Sequence, residues 1–80
     1  MDINEVLVVL SEIEQDDTVP RNIRSKVREA TVILQEPTVR TKRVKVDHII
    51  QELDDLGNDP NLPAHTRTQI WEVISNLESV

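Results

Sequence analysis

The sequence predicts an all-α fold: two repeated antiparallel helical hairpins, four helices in all, in a chain of 80 residues. Three observations predict it. Apolar residues recur at steps of three and four along four separate stretches, which places them on one face of a helix. The chain pairs with itself at an offset of 43, inside the ~40–47-residue period of helical-hairpin repeats. There is a single Gly, and the one strand-like run, "VLVVL" at 6–10, lies within a longer three-four pattern that has no turn signals.

The first helix carries Ile3, Val6, Leu7, Leu10 and Ile13. It stops at "QDDTVPRNIR", residues 15–24. A proline fixes φ near the helical value and has no N–H, so Pro20 suits the first turn of the second helix. Thr18, two residues upstream, is its expected N-cap. Asp16 stands near the positive end of that helix, and Arg24, a turn further on, is in reach of its carboxylate. An exposed pair of that kind is worth about 0–1 kcal/mol.

The second helix carries Ile23, Val27, Ala30 and Leu34. Pro37 ends it, and Thr38 is placed to cap the third. Val39 and Val46 are seven apart, so the third helix is expected to start near residue 38, about two turns earlier than the repeat requires. It carries Val46, Ile49, Ile50, Leu53 and Leu56, with Gly57 as its C-cap. The corner then recurs as "NDPNLPAHTR", residues 58–67, with Asn61 as the expected cap. The fourth helix carries Thr66, Ile70, Val73, Ile74 and Leu77.

Under the shift of 43, Leu10 meets Leu53, Asp16 meets Asp59, Pro20 meets Pro63, Arg24 meets Arg67 and Leu34 meets Leu77. One domain over 1–80 is expected, built of two tandem repeats at about 1–36 and 37–80. Asp16, Pro20, Asp59, Pro63 and Arg67 read as structural hairpin corners, because the same residues recur in both halves at loop spacing.

Two resemblances follow from these strings. The spacing "L..I..D..VP...R..V..A...L", from Leu10 to Leu34, loosely resembles HEAT-like repeats. That implies hairpin pairs of a scaffold that binds other macromolecules along its helices. Stable arrays generally need three or more units, and two paired chains would supply four. "DDTVPRNIR" together with "NDPNLPAHTRTQIWEVISNLE" resembles, over nearly the whole chain, a family of small archaeal proteins known as uncharacterised protein family 0147. The resemblance implies an all-helical fold and an archaeal source, and it carries over no catalytic residue. The middle, "RTKRVK", is more basic than the family's pattern.

Composition narrows the functions. With no Cys, neither a disulfide nor a thiolate metal site is available. With one Trp, no Phe and no Tyr, the core is aliphatic and modest in area. A second copy of the chain is the simplest supplement, so a homodimer is expected. No apolar run approaches the ~20 residues of a membrane span, and the acidic start lacks a basic signal region. A cytoplasmic protein with no membrane partner is the expectation.

Charge is unevenly spread. Residues 1–19 hold six acids and no base, residues 20–45 eight bases and two acids, and residues 46–80 seven acids and one base. Arg21, Arg24 and Arg28 share a face of the second helix, with Lys26 alongside. Arg40, Lys42, Arg43 and Lys45 crowd the start of the third. Together they are a candidate anion or nucleic-acid patch. Against it stand the acidic net charge of −6 and the lack of an aromatic platform for bases. Acidic partners, or the protein's own acidic helices, are the commoner explanation of such a segment.

Trp71 and Ile74 widen the apolar face of the last helix, as Val32 and Ile33 widen that of the second. Faces too wide for one neighbour suggest a further contact, and these four residues are the candidate partner or dimer interface. The competing reading is that the hairpins bury them against each other. His48 and His65 stand alone and read as solvent-facing. Asp47 with His48, or Asp54 with Asp55, cannot converge on one ion, since adjacent helical residues point about 100° apart. No Gly-rich phosphate loop and no nucleophile–base arrangement is visible, so neither an enzyme nor a cofactor is expected. The functional expectation is a small, non-catalytic helical-repeat interaction module with an unidentified protein partner. The alternative is a nucleic-acid-associated protein that grips phosphates through the basic middle.

Overall fold

The computed structural model describes residues 3–36 and 42–79. These form four α-helices: α1 (Ile3–Glu14), α2 (Arg21–Gln35), α3 (Lys42–Gly57) and α4 (Ala64–Glu78). No described residue lies in a strand. The internal repeat is reproduced closely: α2 shifted by 43 coincides with α4, and α1 shifted by 43 ends where α3 ends. Within the described residues α3 begins four residues before the shifted α1 would. Pro37, Thr38 and the expected helix start near 38 lie outside the described residues.

The apolar stripes form one buried core, and its members pair under the same shift. Val6 and Ile49, Leu10 and Leu53, Ile13 and Leu56, Val27 and Ile70, and Ala30 and Val73 are all buried. Val19 and Leu62, the residues before the corner prolines, are buried as well and close the hairpin ends. Each such Leu or Ile stabilises the fold by roughly 1.5–3 kcal/mol relative to its exposed state. One pair is chemically unequal: Ile23 meets Thr66, and both are fully buried. Leu7 and Ile50, expected on the core faces, are only half-buried.

Each helix touches two others. α1 packs on α2, α2 on α3, α3 on α4, and α4 returns to α1. The diagonal pairs α1–α3 and α2–α4 have no Cα atoms within 8 Å of each other among the described residues. The result is an up-down-up-down bundle, 35 × 20 × 20 Å. This differs from the stacking implied by the HEAT-like resemblance, in which equivalent helices of successive hairpins lie side by side. Here equivalent helices sit across the diagonal, and the two hairpins face each other. With only two hairpins, facing them covers both apolar stripes at once, whereas stacking would leave two ends of the array open. No described helix is long and apolar enough to cross a membrane.

Candidate interaction surfaces

The corners are built alike, and the residue that organises each is the aspartate. Asp16 Oδ1 accepts hydrogen bonds from the Thr18 N–H at 2.9 Å and the Thr18 hydroxyl at 2.6 Å. Asp59 Oδ1 accepts from the Asn61 N–H at 2.8 Å. These are Asx turns, in which the carboxylate imitates a backbone carbonyl. Thr18 and Asn61 are therefore donors to the turn, not the helix N-caps that their position suggested. The caps are Pro20 and Pro63, with φ −54° and −58° but ψ 144° and 147°. The ring sets a helix-compatible φ while ψ stays extended, so each proline precedes its helix instead of sitting in its first turn. Its carbonyl accepts from the N–H groups three and four residues on, Ile23 and Arg24 in one corner, Thr66 and Arg67 in the other.

The corner arginines do not bridge to the carboxylates as expected. Arg67 Nε donates to the Gly57 carbonyl at 2.9 Å and Nη2 to the Asp59 carbonyl at 3.0 Å. The first of these carbonyls belongs to the last turn of α3, which leaves it open, and the second to the corner turn, where it also accepts from the Leu62 N–H. Arg24, its counterpart, has a buried Nε with no hydrogen-bond partner among the described residues. Gly57 is not the left-handed cap expected, because no glycine here has a positive φ. It is the final residue of α3, and the ring edge of Trp71 lies over it. A Cβ on Gly57 would lie 3.4 Å from the indole Nε1.

Two contacts that the sequence did not disclose join the hairpins. His65 Nε2 lies 2.8 Å from Asp16 Oδ2, and Gln69 Nε2 donates to Glu12 Oε2 at 3.4 Å. The first ties α4 to the α1–α2 corner and the second ties it to α1, in antiparallel sense. An ionised carboxylate only accepts, so the imidazole proton in this contact is on Nε2. The Thr18 hydroxyl first, then His65 and the Thr18 N–H, hold the Asp16 carboxyl down at a pKa of about 2. His65 is exposed, as expected, yet paired. His48 pairs with Glu52 at 3.3 Å on the same helix. Among the described residues no three His, Asp or Glu side chains gather where a metal ion could be held.

The basic residues do not form one patch. Arg21, Arg24 and Arg28 line a shallow groove of about 180 Å³ with Glu14 and Ser25, at the corner end of α2. Lys42, Arg43 and Lys45 lie at the other end of the bundle, because α2 and α3 run antiparallel and α2 alone rises roughly 22 Å. Arg40 lies outside the described residues. Arg43 Nε is 3.4 Å from Asp47 Oδ1, and Lys45 Nζ donates to the Glu36 carbonyl at 2.8 Å. Lys26 shares a groove with Glu52, Asp55 and Leu56 of α3.

The four apolar candidates likewise divide. Trp71, 54% exposed, stands on α4 with its ring edge over Gly57, and Ile74 beside it packs half-buried on the core. Val32, 56% exposed, points outward from α2, and Ile33 rests half-buried on the core. α2 and α4 occupy opposite corners of the bundle, so these are two surfaces. Around Val32 lies an open groove of about 420 Å³ lined by Ser25, Arg28, Glu29, Val32 and Ile33. Val8 and Val44 are exposed too, singly.

Comparison with known proteins places the chain. Residues 1–80 match the model of a family described as Uncharacterised protein family (UPF0147). A UPF0147 protein of Methanothermobacter thermautotrophicus is 43% identical over 77 residues, covering 96% of this chain and 74% of the relative. One from Methanocaldococcus jannaschii is 46% identical over 79 residues, covering 94% and 80%. The crystal structure of a UPF0147 protein from Thermoplasma acidophilum superposes with a TM-score of 0.88 at 37% identity, covering 95% of this chain and 88% of that one. A second crystal structure, of a protein of unknown function, gives 0.88 at 43% identity, covering 96% and 86%. The chain belongs to the UPF0147 family, whose relatives here come from methanogens, Thermoplasma and Sulfolobales.

Proposed function

We propose that this UPF0147 protein is a small, non-catalytic interaction module of the cytoplasm that docks a protein partner against the Trp71 side of α4. The observation that carries the reading is the placement of Trp71. The only aromatic residue of the chain is left more than half exposed, with its ring edge against Gly57. A large, rigid side chain held in that way loses little freedom on binding, which is what an interface anchor requires. Ile74 and the start of the α3–α4 corner extend the surface beside it.

The nucleic-acid alternative has less support. The bases sit at both ends of the bundle, Glu14 and Glu29 stand among those of α2, and Arg43 is paired with Asp47. The two readings separate in one experiment. The tagged protein and its Trp71→Arg variant are used as bait in lysate of the source organism, with and without nuclease. A defined protein that survives nuclease and moderate salt on the wild type, and is lost from a variant with unchanged circular dichroism, supports the docking module. Capture of nucleic acid, steeply weakened by salt and indifferent to Trp71→Arg, overturns it.

A further inference from the structure

We propose that the outward face of α2 is an interaction surface for a second copy of this chain, with the two α2 helices antiparallel about a two-fold axis between Arg28 and Glu29. Ile23, Val27 and Ala30 point into the core, so residues about half a turn away point out. Arg21, Ser25, Arg28 and Val32 form that stripe, with Glu29 and Glu36 along its edge, and all six are exposed. Among the described residues, the side chains of Arg21, Arg28, Glu29 and Glu36 form no ion pair.

Antiparallel pairing about the point between 28 and 29 sets Arg21 opposite Glu36 of the second copy, and Arg28 opposite its Glu29. Ser25 then faces Val32. Each match occurs twice, as an isologous interface demands. The groove around Val32 lies at the middle of this stripe and offers the neighbouring Val32 a place to enter. A parallel arrangement would set Arg21 and Arg28 against their own copies, a like-charge contact that disfavours it. The shifted positions on α4 are Ala64, Thr68, Trp71, Glu72, Ser75 and Ser79. They carry no opposite charges, so α2 is the self-complementary face and α4 is not. α4 lies across the diagonal, and the dimer leaves Trp71 open on both copies. The inference is therefore independent of the Trp71 reading.

Two helices of this length bury an area in the class of transient interfaces, below about 1,200 Å². Association should accordingly depend on concentration. The test is sedimentation equilibrium of the full chain from tens of micromolar to about 1 mM, with two charge-reversed variants. One carries Arg21→Glu and Arg28→Glu, the other Glu29→Arg and Glu36→Arg. All four sites are exposed, and circular dichroism checks that the helices persist. The wild type is expected to approach twice the monomer mass. Each variant alone should remain a monomer, its association weakened by about tenfold or more. An equimolar mixture of the two should dimerise again, since every pair in the seam is then of opposite sign. A monomeric wild type at about 1 mM overturns the proposal. So does a wild-type dimer that survives both reversals, or a mixture that stays monomeric.

Discussion

His65 Nε2 stands 2.8 Å from Asp16 Oδ2, so the first turn of α4 is bonded to the corner that joins α1 to α2. The same carboxylate holds its own turn through Thr18 with its other oxygen. Asp16 thus serves local and tertiary structure at once, and its pKa is lowered from 3.8 to about 2.

A depressed carboxyl contributes stability that is complete above its unfolded pKa and lost as pH falls through its folded one. For Asp16 that window runs from about 4 down to about 2. Asp16→Asn keeps an acceptor for the Thr18 N–H but loses the charge. Its deficit relative to wild type, measured by urea unfolding, should be full near about pH 5 and shrink toward about pH 2. A deficit unchanged over that range would mean that the carboxylate charge is irrelevant to the corner.

The two corner arginines should differ in worth although they occupy equivalent positions. Arg67 bonds two partly buried carbonyls, and Arg67→Met should cost about 1–3 kcal/mol. Arg24 has a buried Nε without a partner among the described residues, and Arg24→Met should be nearly neutral. Urea midpoints of the two variants measure the difference directly. Equal losses would contradict it.

Thr66 is fully buried, and its hydroxyl has no hydrogen-bond partner among the described residues. The repeat places Ile23 at the equivalent site. Thr66→Val keeps the shape and removes the unsatisfied group, so it should raise stability by about 1 kcal/mol. Thermal unfolding of the variant tests this, and a lowered midpoint would show that the hydroxyl is satisfied after all.

Gly57 lies in a helix without a left-handed φ, and a Cβ there meets Trp71 and Ile70 at ordinary contact distances of 3.4 and 3.7 Å. Gly57→Ala should therefore stabilise, by up to about 1 kcal/mol from helix propensity, with Trp71 emission unchanged. Gly57→Glu, which copies Glu14 of the first hairpin, should displace the indole and shift its emission. An emission shift with Ala would place the ring closer to Gly57 than the geometry gives.

What the sequence determined by itself was local. The steps of Val6, Leu10 and Ile13, and of Ile23, Val27 and Ala30, marked the buried faces, because helical periodicity acts within a few turns. The offset of 43 located the corners and matched α2 to α4 residue for residue. Cap chemistry was less legible. Thr18 and Asn61 are good caps by type, but Asp16 and Asp59 are close enough to claim the turn N–H groups first. Everything that depends on how the hairpins meet came with their docking. Facing rather than stacking brought His65 to Asp16 and set Val32 and Trp71 on separate surfaces. Residues 49 apart in the chain, such as Asp16 and His65, share no local signal. Their contact comes from the docking that buries both apolar stripes together, a property of the whole core and of no single stretch of chain.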